Sequence, residues 1–331
     1  MPAPATWNSL RFTLGAALTI TCLWLLARRV DSTELFRSLS ATDLSWATVA
    51  LVAYAAGYAV RIERWRQMLA YENPRLRWMA CAGPFFAGYA ANNLLPLRAG
   101  DVIRAFAFRR DLGATPGATV ATLIIERLLD LLALLCLFGL ALIYFGRSAS
   151  PLLGGGVFTI LLASILTILI LKFPDVTFRL ALSCAGLLRR ISPKLGERVE
   201  SEIHVGFAAV RKILSRQSSL RLLSLTTIIW AIEFLIFWFV ALAIPMLSHP
   251  ISSLLALPVG TLATLIPSTP GFVGTFEYPI VVAMTSTGNS AAAATAYALV
   301  VHAILAVPSV LLGTPYLISH HLRARVDVAA P

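Results

Sequence analysis

Charged side chains are scarce in this sequence: Asp, Glu, Lys and Arg make up 13% of its 331 residues, about half of the roughly 25% found in soluble domains. Apolar residues fill the gap at 58%, with a mean hydropathy of +0.80, which excludes an ordinary soluble globular protein. Cysteine is also rare. The four present, Cys22, Cys81, Cys136 and Cys184, stand far apart, so neither a metal motif nor a disulfide framework is expected. Acidic residues are outnumbered, 16 against 27 Lys and Arg, for a formal charge of +11. The basic residues fall between apolar stretches, without a domain in which they interleave with aromatic residues. That distribution reads as membrane topology and attraction to anionic lipid, with no nucleic-acid partner.

Compact catalytic signatures are missing as well. There is no His-x-x-x-His pair, Asp-x-Asp metal pair, Gly-x-Ser-x-Gly elbow, Walker loop or Cys-x-x-Cys, so neither metal chemistry nor ATP drive has a visible home. No cofactor or metal is expected, and the chain is expected not to be an enzyme, although membrane acyl or glycosyl transferases can hide their sites.

Long apolar runs are what the sequence has in abundance. At about 20 residues per crossing there is room for roughly six to nine, and the segments 10–27, 45–62, 117–145, 152–171, 222–245 and 291–317 qualify. Backbone groups in hydrocarbon must pair internally, so each is expected to be a helix. The first is preceded only by Arg11 and followed by Arg28-Arg29, without a small-x-small cleavage site, and reads as a retained helix. Two further apolar regions are interrupted. Met79 to Leu97 contains Pro84, Asn92-Asn93 and Pro96; Ile251 to Gly288 contains Pro258, Pro267, Pro270, Gly271, Gly274 and Pro279. Such interruptions predict re-entrant broken hairpins over 79–107 and 251–288.

Arg and Lys cluster in 61–78 (Arg61, Arg64, Arg66, Arg75, Arg77), 98–111, 172–221 and the tail. The positive-inside rule places these, with both termini, on the cytoplasmic side of the cell's inner (cytoplasmic) membrane. Connections 146–151 and 246–250 then lie outside, as does 28–44 despite Arg28, Arg29 and Arg37. Within 172–221, Val199, Ile203, Phe207, Val210 and Leu214 predict an amphipathic helix that packs on the bundle, lies at the interface, or docks a regulator.

The expected fold is therefore an all-α integral membrane protein, one membrane domain over 1–331. It divides into repeats at 10–145 and 152–317, each reading helix, helix, broken hairpin, helix, with all directions reversed in the second. Ile62-Glu63 recurs as Ile232-Glu233, Pro96 as Pro267 and Gly100 as Gly271. Inverted repeats with broken segments at matching places point to a secondary transporter whose site lies where the hairpins meet.

Several polar groups are costly to keep in a membrane. Asn92-Asn93, Arg98 and Arg104 either satisfy the hairpin backbone and mark the interface, or face a phosphate; Asp101 is placed to cap a helix. Glu126, Arg127 and Asp130 fall within about one turn of a spanning helix, with Glu126 and Asp130 on one face. They form either a cavity group or an internal ion pair with Arg98 or Arg104. Glu277, behind Gly271 and Gly274, is a proton site, a partner for an Arg, or a contact to a cationic headgroup. Glu233 is an isolated acid, Arg61 is placed to pair with Glu63, and His302 reads as a hydrogen-bonded core residue.

The motifs Asn92-Asn93-Leu94-Leu95-Pro96-Leu97-Arg98-Ala99-Gly100-Asp101-Val102-Ile103-Arg104, Glu126-Arg127-Leu128-Leu129-Asp130 and Thr269-Pro270-Gly271-Phe272-Val273-Gly274-Thr275-Phe276-Glu277 resemble, in that order, the lysylphosphatidylglycerol synthase transmembrane family. Asp101 stands where Glu is common and Phe272 where a second Gly is common. The resemblance implies a flippase-like domain that moves an anionic or aminoacylated lipid, or a lipid-linked sugar, between leaflets. The soluble synthase domain of some members has no counterpart before Pro331, so lysyl-lipid synthesis is not expected.

On this reading the partners are a phospholipid or polyprenyl-linked substrate and anionic membrane lipids, with a homodimer possible. Arg98, Arg104 and Arg127 bind phosphate, Glu126, Asp130 and Glu277 balance them, and Asn92, Asn93 and Gly271 shape the hairpins. The alternatives are a membrane enzyme acting on a lipid phosphate through Asp101, Glu126 and Asp130, and a small-solute transporter.

Overall fold

Acidic caps set the first helices. Asp31 accepts hydrogen bonds from the backbone N–H groups of Thr33 (2.8 Å) and Glu34 (3.0 Å), starting α2 (Ser32–Ser40) directly after α1 (Ala5–Arg29). Those donors hold its carboxyl below the usual carboxylate range. Asp43 starts α3 (Leu44–Leu69) in the same way through the N–H of Ser45.

The computed structural model describes residues 5–145, 162–170, 172–214, 216–266 and 268–329, and all regular structure among them is helical. After α3 come α4 (Trp78–Leu94), α5 (Ala99–Phe106), α6 (Arg109–Leu112), α7 (Pro116–Phe145), α8 (162–170), α9 (Pro174–Ile191) and α10 (Pro193–Ile213). The chain continues through α11 (Arg216–Ala243), α12 (Ser253–Ala263), α13 (Glu277–Ser286) and α14 (Ala291–Ala329).

Four stretches among the described residues are long and apolar enough to cross a membrane: Leu44–Leu69, Pro116–Phe145, Ser218–Ala243 and Ala291–Arg323. Their outer faces expose large apolar side chains, including Val52, Ile143 and Leu311, an arrangement that suits hydrocarbon and not water. The protein is an integral membrane protein. Of the other expected spans, 10–27 lies within α1, while 152–161 falls outside the described residues and leaves only α8 of the span at 152–171.

The first interrupted region differs from expectation. α4 runs unbroken through Pro84 and the Asn pair, although an interior proline forfeits a backbone bond and costs on the order of 3 kcal/mol. Close packing of Phe85, Ala87, Ala90 and Ala91, all buried, offsets that cost. The break comes at Leu95, extended ahead of Pro96 as the proline demands, followed by a 3₁₀ turn Pro96–Arg98 and α5. α12 likewise contains Pro258, and a 3₁₀ turn Pro270–Phe272 precedes α13. Pro96 and Pro270 thus each open a 3₁₀ turn. The expected match of Gly100 with Gly271 is not one of conformation, because Gly100 lies within α5 whereas Gly271 has φ +70°; Pro267 falls outside the described residues.

Small residues let the helices close on one another. α11 packs on α3 where Gly57 admits Ile232, and α14 packs on α4 where a Cβ at Gly313 would lie 2.1 Å from the Phe86 carbonyl oxygen. α5 folds back on α4 at Gly100, where a Cβ would lie 1.9 Å from the Gly88 oxygen. The amphipathic helix is α10, packed against α7 and α9. The Gly117 N–H donates to Glu202 Oε2 at 2.7 Å across that contact.

Candidate functional site

Among the described residues, four arginine–carboxylate pairs tie neighbouring helices together inside the apolar bundle. Arg61 of α3 meets Glu233 of α11 at 2.9 Å, and Arg64 of α3 meets Asp130 of α7 at 2.8 Å. Arg104 of α5 meets Glu126 of α7 at 3.1 Å, and Arg127 of α7 meets Asp101 of α5 at 3.1 Å. Where burial is high, as at Arg64 and Arg104, removing one partner strands a charge and typically costs about 3–5 kcal/mol.

Two expectations about α3 are corrected here. Arg61, Arg64 and Arg66 do not lie in a connection over 61–78, because α3 continues to Leu69. Arg61 does not pair with Glu63; Glu63 takes Arg66 at 2.6 Å and Gln67 at 2.9 Å. The charges over the C-terminal part of α3 dilute hydropathy and hide the helix, yet Arg61 and Arg64 each reach an acid on a facing helix.

Between these pairs opens a cavity of 380 Å³, within the range of small-molecule sites. Asn92, Asn93, Arg98, Arg127 and Asp130 line it, joined by Tyr58, Arg61, Tyr89, Trp230, Glu233, Phe272 and His302. Of the residues expected at the site, Arg104, Glu126, Gly271 and Glu277 do not line it. Arg104 is fully buried, its guanidinium carbon 4.2 Å from the Trp65 ring centroid and 4.6 Å from that of Phe85. It holds Glu126 through two hydrogen bonds, so this pair packs α5 on α7 behind the cavity wall.

The lining groups differ in how fully they are engaged. Asp130 accepts from Arg64 and from Trp230 Nε1 at 3.1 Å. Asp101 does not cap α5; its carboxylate accepts from Arg127 and from Asn92 Nδ2 at 3.1 Å. Asn93 Nδ2 donates to the Tyr89 carbonyl and to Ser309 Oγ, each at 3.1 Å. Arg98 stands apart. Its guanidinium donates to the neutral Thr264 Oγ1 at 3.2 Å and lies over the Phe272 ring, with no carboxylate in ion-pair reach among the described residues. Buried Nε donors of Arg61 and Arg127 and the Oδ1 acceptor of Asn92 also lack partners among the described residues.

The second break closes the far side. Gly271 sits at its tip, near the Asn93 carbonyl oxygen. Glu277 Oε2 accepts the Gly274 N–H at 2.6 Å and Oε1 meets His302 Nδ1. Among the described residues, no group of three His, Cys, Asp or Glu is placed to hold a metal ion. Sequence reasoning did not assign Tyr58, Arg61, Tyr89, Trp230, Glu233, Phe272 or His302 to the site. The available signal was charge balance: each buried Asp or Glu in an apolar helix needs a partner at the same depth.

Spanning helices, broken segments between them and an arginine-bearing internal cavity define a polytopic membrane protein with a binding site inside its bundle. The chain belongs to the family described as the lysylphosphatidylglycerol synthase TM region, whose model matches residues 12–313. The family name ties it to membrane-lipid chemistry. It is also similar to Glycosyltransferase AglD of Haloferax volcanii, 24% identical over 338 residues, a match taking in 92% of this chain and 54% of that protein. The chain thus spans about half the length of the curated relative it matches. This relative corrects the expectation that the chain is not an enzyme, since nearly the whole chain aligns with a protein named for a transferase activity. Absence of compact catalytic motifs is a weak guide in membrane proteins, whose reactive groups are spread over several helices.

Proposed function

We propose that the cavity takes the anionic headgroup of a membrane lipid and carries it between leaflets while the chains stay in hydrocarbon. The observation behind this reading is Arg98, a guanidinium at the cavity wall with only a hydroxyl and an aromatic face for company. A charged Arg in the apolar interior costs about 2.5–3.5 kcal/mol or more, and a phosphate oxygen is the natural group to offset it through forked hydrogen bonds. Arg127, held by Asp101, and Asn92 and Asn93 complete the headgroup site; Asp130 and Glu233 keep the remaining arginines neutralised. The breaks at 95–98 and 268–276 act as the tips of two re-entrant hairpins in an inverted repeat, with the basic connection 172–221 in the cytoplasm. Phosphatidylglycerol, its lysyl ester and polyprenyl-phosphate lipids all have the required anion.

The test is leaflet exchange in proteoliposomes with these labelled lipids. Exchange of one lipid class above the protein-free rate supports the reading. The AglD relative favours a second one, transfer of a sugar to a membrane lipid. No exchange of any lipid, together with a glycolipid product when nucleotide sugar and polyprenyl phosphate are supplied, establishes that one instead.

A further inference from the structure

Glu277 is a carboxylate that the headgroup site does not use. It is buried at the start of α13, its Oε2 fixed by the Gly274 N–H and its Oε1 against His302 Nδ1. No Arg or Lys lies in ion-pair reach among the described residues; its one ionisable partner is His302. His302 in turn lines the cavity, and its Nε2 has no partner among the described residues.

Resting on the lipid-translocating reading above, we infer that Glu277 and His302 form a proton-binding site coupled to the headgroup cavity. A proton from solution adds to the imidazole through the edge facing the cavity, converting a neutral ring beside a carboxylate into an imidazolium–carboxylate pair. Release returns the same proton to solution, so no other reactant is needed. The bound proton adds one positive charge to the wall that already holds Arg98 and Arg127, so anion and proton favour each other's binding reciprocally. The pair also bridges α13 to α14, so its state acts on the contact between the second break and the longest helix.

The neighbouring titratable groups are few. α1 contributes Cys22, which lies in the field of Glu277, and α12 contributes none. Across the cavity, Arg61 and Glu233 are paired, Asp130 is held by Arg64, and Arg127 by Asp101. Tyr278 adjoins Glu277 on α13, and Tyr58, Tyr89 and Arg98 also line the cavity; imidazole is the side-chain type among all these that ordinarily changes charge between about pH 5 and 8.

The experiment uses the full chain in detergent micelles with two lipids whose phosphodiesters stay ionised throughout, phosphatidylglycerol and a polyprenyl-phosphoryl hexose. Binding is titrated between about pH 5 and 8, and proton uptake is read with a pH dye in weak buffer. Affinity is expected to rise as pH falls, by at most about tenfold per unit for a single linked proton, with up to one proton taken up per lipid bound. His302→Gln, which keeps a donor toward Glu277, and Glu277→Gln should bind lipid with no pH slope and no uptake. Lipid binding by the wild type without slope or uptake overturns the inference and leaves the lipid site standing. Equal uptake in both variants also overturns it. Failure of both lipids to bind at any pH overturns the lipid reading as well.

Discussion

The guanidinium of Arg98 lies over the ring of Phe272, 5.7 Å from carbon to centroid, and these two are the non-glycine residues with positive φ among the described residues, at 54° and 57°. Each ends a 3₁₀ turn opened by a proline. Left-handed backbone costs a side-chain-bearing residue roughly 1–2 kcal/mol, so strain is held at both tips, where the two interrupted regions meet beside the cavity. Strain of this kind persists only where its surroundings over-determine it.

That strain is separable from the ring contact. Phe272→Ala removes the ring and keeps the backbone cost; Phe272→Gly removes both. The Gly variant should be more stable than the Ala variant by about 1 kcal/mol, read as its higher midpoint in thermal unfolding in micelles. Equal midpoints, or a higher one for Ala, would show that the turn is not strained.

Asp130 receives Arg64 in two hydrogen bonds as well as the Trp230 indole. Asp130→Asn should cost about 3–5 kcal/mol by leaving Arg64 buried without its counter-charge. The double variant Arg64→Met with Asp130→Leu should recover part of that loss, because two apolar side chains need no counter-charge while the Trp230 indole N–H loses its acceptor. Unfolding midpoints of the two proteins decide it.

Arg104 depends on its shape as much as its charge, since it is stacked between Trp65 and Phe85 while forked onto Glu126. A lysine offers a point charge without the plane. Arg104→Lys is expected to destabilise the protein by on the order of 2 kcal/mol, whereas Arg98→Lys, at a looser site, should leave the unfolding midpoint within about a degree or two. Comparable losses at both positions would contradict the distinction between packing and binding arginines.

Glycine spacing gives the sharpest structural contrast. Gly100→Ala places a methyl 1.9 Å from the Gly88 oxygen and must push α5 off α4, whereas a new Cβ at Gly139 meets, among the described residues, no atom within 4 Å beyond the nearby backbone of its own helix. Folded yield should collapse for the first. The second should be neutral or slightly stabilising, by up to about 1 kcal/mol from helix propensity.

The breaks at Pro96 and Pro270 were legible in the sequence, as were the spanning stretches Pro116–Phe145 and Ser218–Ala243 to within four residues at each end and the start of Ala291–Arg323, because proline and apolar length act locally. α3 was legible only as far as Ile62. Its C-terminal part carries Arg61, Arg64 and Arg66, which read as a loop until Glu233 and Asp130 are seen facing two of them from α11 and α7. The same holds at the site. Asn92, Arg98 and Arg127 stood out as polar groups in apolar surroundings, but nothing local separates Arg104, sealed behind the wall, from Arg98, open to the cavity. That distinction depends on which acid faces which arginine across helices far apart in sequence, as does the meeting of Glu277 with His302.

Arg98 offers a cleaner probe than Arg127, whose removal would strand Asp101. The decisive measurement is leaflet exchange of an anionic lipid against zwitterionic phosphatidylcholine in proteoliposomes, for the wild type and Arg98→Gln at matched folded content. The wild type should exchange the anionic lipid faster, and Arg98→Gln should lose that preference by tenfold or more, about 1.4 kcal/mol, with its unfolding midpoint kept. An undiminished preference in Arg98→Gln would contradict an anionic headgroup site built on this residue.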